Sequence, residues 1–183
     1  MKAGVRILAI AAAPLKKRDT LLVGIVSRAD MIEGILTTRV TVDGTDSTER
    51  IAKMLNSSRF NEQVRVIATN GIGLAGLNII DVQKLEKQTG TKAISVTRRK
   101  PHPKELVKAL RLYSKQKGQD VKQRIKLVDS VTKMNEYKAE GFYVQTGMTK
   151  ADALLFLANA SKLLRLAHLL ASGISSGESK GRL

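Results

Sequence analysis

The order of the hydrophobic patterns constrains this chain most, because three strand-like segments come before the first helical one. Residues 5–10 form an apolar run that stops short of Pro14, which reads as a buried strand, since proline cannot continue a central ladder. Residues 22–26 and 32–42 read as two more strands, the second alternating through Ile35, Thr37, Arg39 and Thr41, with residues 28–30 as their turn. Asp43-Gly44 closes this meander, and Ile51, Met54 and Leu55 then recur at helical spacing within residues 45–57. From there strand and helix alternate. A strand at 64–68 precedes a helical stretch carrying Leu77, Ile80, Val82 and Leu85 that Gly90 ends, and a strand at 93–96 precedes a helix opened by Pro101 and Pro103. Residues 119–134 read as a helix and connector, 142–144 as a last short strand, and 150–170 as helical material for one or two helices, interrupted by Asp152, Asn159, Lys162 and Arg165. Parallel strands need crossover helices, so this order predicts an α/β fold with a mixed sheet. Antiparallel hairpin strands come first and parallel strands after, with helices on both faces, in a ribonuclease H-like layout. A chain of 183 residues suffices for one domain over 1–183, with a polar tail from about residue 173.

Charge limits the partners. The 32 Lys and Arg stand against 16 Asp and Glu, a formal +16 that exceeds what solubility requires. Between residues 98 and 126 there are eleven cations, opposed only by Glu105 and Asp120. In the helix after Pro103, Lys104, Lys108, Arg111 and Lys115 fall four, three and four apart and form one stripe, while Leu106, Val107, Leu110 and Tyr113 fall on the other side. Such a stripe is usually the solvated face of an amphipathic helix. Here Arg98, Arg99, Lys100 and His102 extend it at the helix entrance, and Lys16, Lys17, Arg18, Lys180 and Arg182 add further cations, which together point to phosphate contact. With six Phe and Tyr and no Trp, the chain lacks the aromatics of a single-strand stacking platform, so structured RNA or duplex DNA is the expected partner.

Other chemistries are restricted. Cysteine is absent, which removes disulfides, thiolate nucleophiles and Cys-based zinc sites. The two histidines, His102 and His168, share no ligand spacing, and His168 lies among leucines where a packed role is the common one. Gly71 and Gly73 are followed by no Lys at P-loop spacing, so nucleotide hydrolysis is not expected. No apolar run in the sequence approaches the roughly 20 residues of a bilayer span, and the first residues lack a secretory pattern, so no membrane partner and a cytoplasmic location are expected.

Five segments in order resemble a known family. They are residues 6–14 (Arg6-Ile7-Leu8-Ala9-Ile10-Ala11-Ala12-Ala13-Pro14), the block Val42-Asp43-Gly44-Thr45-Asp46-Ser47-Thr48-Glu49, the stretch from Asn70-Gly71-Ile72-Gly73 to Asn78, the tripeptide Arg99-Lys100-Pro101, and the ending from Leu164 to Arg182. Together they are similar to the archaeal family called domain of unknown function ninety-nine, which is distantly similar to endonuclease V. The resemblance implies a ribonuclease H-like nuclease scaffold in which carboxylates at the end of the first strand and on a central strand hold Mg²⁺, which activates water. It also implies that acidic residues are typical where this chain has Ala11 and Ala12, that Asp is typical at Asn70, and that a His is typical at Met148. Methyl, amide and thioether groups make poor Mg²⁺ ligands. These four positions are thus read as a degenerate former site, with no metal, no cofactor and no catalytic residue assigned.

The expected function is nucleic-acid binding on an endonuclease V-like scaffold that has lost its metal carboxylates, a pseudoenzyme. One alternative is an active Mg²⁺-dependent endonuclease acting on damaged or inosine-containing strands through Asp43, Asp46 and Glu49. Against this, the spacing of those three is more often helix capping, with Thr45 or Asp46 accepting backbone N–H bonds. A second alternative is a scaffold subunit that binds another protein.

Overall fold

The computed structural model describes residues 4–15 and 18–179. Strands β1 (Arg6–Ala12), β2 (Asp19–Arg28) and β3 (Met31–Thr41) form the antiparallel meander, joined by a tight turn at Ala29 and Asp30. Helix α1 (Ser47–Asn56) then leads to β4 (Val64–Thr69), which pairs parallel with β1, and β7 (Lys92–Thr97) pairs parallel with β4. The sheet closes with β9 (Phe142–Thr146), antiparallel to β7, and β8 (Asn135–Ala139), antiparallel to β9. The seven-stranded order is β3-β2-β1-β4-β7-β9-β8, a mixed sheet with its parallel strands at the centre. The sequence does not announce β8; its signal is Glu140-Gly141, both at positive φ, as a two-residue hairpin turn requires.

A second departure lies between β4 and α2. The helical stretch expected to carry Leu77 and Ile80 starts only at Val82, as α2 (Val82–Thr89), capped by the Asp81 side chain accepting from the Lys84 N–H and ended by left-handed Gly90. Before it, β5 (Gly73–Leu74) pairs with β6 (Asn78–Ile79) in a small hairpin, because Ala75 and Gly76 at positive φ turn the chain back on itself. Gly76 has no freedom to be anything else, since a β-carbon there would collide with the Asp43 carboxylate.

The two faces of the sheet are covered differently. On one side, Ile51 and Leu55 of α1 and Leu85 of α2 pack on Leu8, Ile10, Leu22 and Ile67. On the other lies α5 (Lys150–Ser176), one continuous helix that runs past residue 173, where the polar tail was expected to start. Lys162 and Arg165 divide the sequence run but lie exposed, so they do not break the helix. Contrary to the expectation that nothing here reaches spanning length, α5 is, among the described residues, the helix long and apolar enough to cross a bilayer. Its buried residues face the sheet, where Phe156, Leu157, Leu163 and Leu164 contribute about 1.5–3 kcal/mol each by burial. The seam between them is made of methyl groups, with Ala153, Ala160, Ala167 and Ala171 of the helix in one cluster with Ala9, Ala11, Ala13 and Ala68 of the strands. Finally, α3 (Pro103–Lys117) and α4 (Lys122–Val131) dock on the β5–β6 hairpin through Leu110, Val121 and Val128, with Leu106, Val107 and Tyr113 beside them.

Candidate nucleic-acid interface

The carboxyl ends of β1, β4 and β7 align. Ile10 pairs with Thr69 and Thr69 with Ser95, so Ala11, Asn70 and Val96 follow in the next row. Ala11 is 2% exposed and belongs to the core under α5, whereas Ala12 packs on the α1 side. Successive strand residues point to opposite faces, so the two alanines that the sequence places side by side do not share a site. Met148 does not join this row either. It lies two residues past Thr146, which pairs with Ile94, and so faces the start of β7, about 13 Å along the strand from the level of Asn70. The methyl of Ala11 and the amide of Asn70 thus remain at this end of the sheet, and neither suits a hard cation that needs anionic oxygen. Among the described residues no group of three or more His, Asp and Glu is placed to hold a metal ion.

Asp43, Asp46 and Glu49 lie nearby but face different partners. Asp43 sits at positive φ, its carboxylate accepting from the Leu77 N–H at 2.8 Å while its own N–H donates to the Ala75 carbonyl. Asp46 occupies the N-cap position of α1 without capping it. Its carboxylate turns back to accept from the Thr41 N–H and hydroxyl and from the Asn78 amide at 2.8 Å. The cap comes instead from 31 residues away, where Asn78 Oδ1 accepts from the Ser47 N–H while its Nδ2 also donates to the Thr41 carbonyl. Burial alone would raise the Asp46 pKa, but the bonds from Asn78 and Thr41 outweigh it and hold the carboxyl below its ordinary value. Glu49 pairs with Lys84, whose hydrogen bond lowers the carboxylate's pKa. Arg124, 3% exposed, closes the knot by donating to the Asp43 carbonyl at 2.8 Å and stacking on Tyr113. It is the one cation of the eleven that leaves the surface.

The remaining ten are exposed, among them Arg98, Arg99, Lys100, Lys104, Lys108, Arg111 and Lys115, and His102 beside them is exposed too. The α3 stripe faces outward as its spacing predicts, because Leu110 on the opposite side is fully buried. Among the described residues, salt bridges engage Arg6, Arg28, Arg39, Arg50, Lys84 and Lys92, and none of the eleven. Arg18 is exposed near the start of β2, while Lys16, Lys17, Lys180 and Arg182 lie outside the described residues. His168, half-buried on α5, has its ring nitrogen 3.5 Å from the Ser172 hydroxyl one turn on. Where β7 meets α5, Asn70, Arg98, Arg99, Phe142, Ser161 and Leu164 line a cavity of about 380 Å³ with Val96 and Thr97. The Arg98 guanidinium lies 5.5 Å from the Phe142 ring centre. Phe142, Ser161 and Leu164 carry no mark in the sequence, because only the β7–β9 pairing and the docking of α5 bring them to Arg98.

A family model described as endonuclease dU matches residues 3–175. The chain belongs to the endonuclease dU family. Its relatives are archaeal: a UPF0215 protein of Methanothermobacter thermautotrophicus is 36% identical, covering 99% of this chain and 93% of its own. A crystal structure of a protein of unknown function from Archaeoglobus fulgidus superposes with a TM-score of 0.82 at 31% identity, covering 93% of this chain and 98% of that one. The catalytic domain of human endonuclease V matches with a TM-score of 0.52 at 11% identity, over 96% of this chain and 82% of that one, a likeness of fold. The family that the five sequence segments point to is therefore the right one, and the ribonuclease H-like layout expected from the strand order is the observed one.

Proposed function

We propose that this member of the endonuclease dU family binds structured RNA or duplex DNA through the surface running from Arg98 to Lys115, and does not cleave it at the sheet end. The observation that carries this reading is the row of exposed cations on α3 and its entrance, none joined to a carboxylate among the described residues. Like charges on one helix face repel, so the arrangement is stabilised when phosphates neutralise it. The absence of cleavage rests on the donor groups at Ala11 and Asn70 and on the separate commitments of Asp43, Asp46 and Glu49.

Filter binding at increasing salt tests the first half. Affinity should fall steeply as salt rises, because each neutralised phosphate releases counterions, and Arg98→Glu with Arg99→Glu and Lys104→Glu should abolish binding while the thermal melt stays unchanged. Unchanged binding would remove this surface from consideration.

The family description, endonuclease dU, favours a second reading, an active endonuclease, for which Asp43, Asp46 and Glu49 are the carboxylates we would assign to Mg²⁺. Incubation with Mg²⁺ or Mn²⁺ and strands containing uracil or inosine separates the two. No nicking is expected; metal-dependent nicking that vanishes in a folded Asp43→Asn variant would overturn the proposal.

A further inference from the structure

We infer that the cavity between β7 and α5 receives one unpaired nucleobase of the bound nucleic acid. The inference rests on the reading that the basic surface holds phosphates. The cavity, about 380 Å³, falls at the size of small-ligand sites, roughly 300–1,000 Å³. Its walls combine what a base requires. Val96 and Leu164 supply an apolar floor, and the Phe142 ring with Arg98 above it supplies a flat face and a guanidinium plane, the two surfaces on which unstacked bases lie.

Asn70 stands at the same cavity, exposed, with no hydrogen-bond partner among the described residues. An amide presents one donor edge and one acceptor edge in a fixed fork, which matches the edge of a base, whereas a carboxylate would only accept. Asn at this position is thus suited to reading a base where it is unsuited to holding a cation. Arg99, also at the cavity and exposed, is placed for the phosphate attached to that base. One aromatic accommodates one base, so the ligand is a single extruded nucleotide, a bulge or loop residue, and not a run of single strand.

Fluorescence polarisation with three labelled duplexes tests this: one fully paired, one with a single-nucleotide bulge, and one whose bulge is abasic. The bulged duplex should bind about tenfold tighter than the other two, a ratio that stacking of one base supplies. Phe142→Leu and Asn70→Ala should each bring the bulged duplex to the level of the paired one. Ser161→Leu, which fills the cavity from α5 without removing a core group, should do the same and guards against misfolding of the Phe142 variant. A free mononucleotide competing off only the bulged duplex's advantage would show that the pocket also accepts the ligand outside a strand. Equal wild-type affinity for all three duplexes, or variants that weaken all three alike, would overturn the inference while leaving the basic surface standing. No binding to any of them would overturn both.

Discussion

The Asp43–Asn78 knot and the Asn70 cleft lie at the same end of the sheet and both draw on the segment from Asn70 to Asn78, yet they use their polar groups in opposite ways. In the knot, Asn78 is fully buried and its amide engages Ser47, Thr41 and Asp46, while Asp43 and Arg124 bind backbone atoms of the neighbouring turn. In the cleft, Asn70, Arg98 and Arg99 have no carboxylate or backbone partner that would consume them, among the described residues. Two asparagines eight positions apart thus differ wholly in role, and the difference is burial: a buried amide must be satisfied from within, an exposed one is available to a ligand. The knot fixes the β3–α1 turn against the β5–β6 hairpin and through Arg124 sets the platform on which α3 stands. The cleft is what that rigid frame leaves open.

The largest expected effect comes from forcing the end of the sheet beside the cleft to resemble a metal site. Ala11→Asp would bury a carboxylate with no counter-charge at a position 2% exposed, and should lower stability by about 3 kcal/mol or more in chemical denaturation. If Mg²⁺ restored that loss in the Ala11→Asp, Asn70→Asp double variant, the sheet end would retain the geometry of a cation site, and the contrast would lie in side chains alone. Next in size is Asn78→Ala, which leaves the Ser47 N–H without its acceptor and takes a donor from the Thr41 carbonyl and the Asp46 carboxylate, and should cost about 2–3 kcal/mol by the same measurement.

Acid should attack the knot before the cleft. Burial works to raise the pKa of Asp46 and of Glu33, but hydrogen bonds from Asn78 and Thr41 in the first case and from Arg6 and Arg28 in the second leave both lowered. Carboxyls with depressed folded values add stability above their unfolded values, about 3.9 for Asp and 4.3 for Glu, and lose it as pH falls through the folded ones. Melting temperature should therefore be level from neutral to about pH 5 and decline below about pH 4, with a smaller decline in Asp46→Asn. The smallest effect is expected of Asn70→Ala, within about 0.5 kcal/mol of wild type in stability, because its exposed side chain makes no hydrogen bond among the described residues. A large loss there would show that the cleft too is structural.

Much of the architecture was legible because period and punctuation are local properties. The apolar run before Pro14, the Asp43-Gly44 turn, Gly90 at the end of α2 and Pro103 at the start of α3 each report on their own few residues. The α3 stripe was legible for the same reason: helical spacing alone decides which side Lys104, Lys108, Arg111 and Lys115 take. What was hidden depends on distant pairing. The β5–β6 hairpin looks helical until Asn78 is seen serving Thr41 and Ser47, and Asp46 looks like a cap until its carboxylate is seen turned toward Asn78. Ala11 and Ala12 form a pair only in one dimension, since the pleat separates them, and Met148 is carried to the other end of β7 by the antiparallel register of β9. The cavity itself is assembled from β4, β7, β9 and α5, and no local pattern encodes four elements meeting.

The alanine seam beneath α5 ties the fate of position 11 to the opposing helix. Methyl groups on both surfaces let helix and strands approach closely, so a longer side chain at Ala11 has nowhere to go unless α5 is thinned or displaced in step. An acidic residue at position 11 is therefore not a one-step substitution: it needs a compensating change on another element, so strand and helix are coupled at this point and can only be redesigned together.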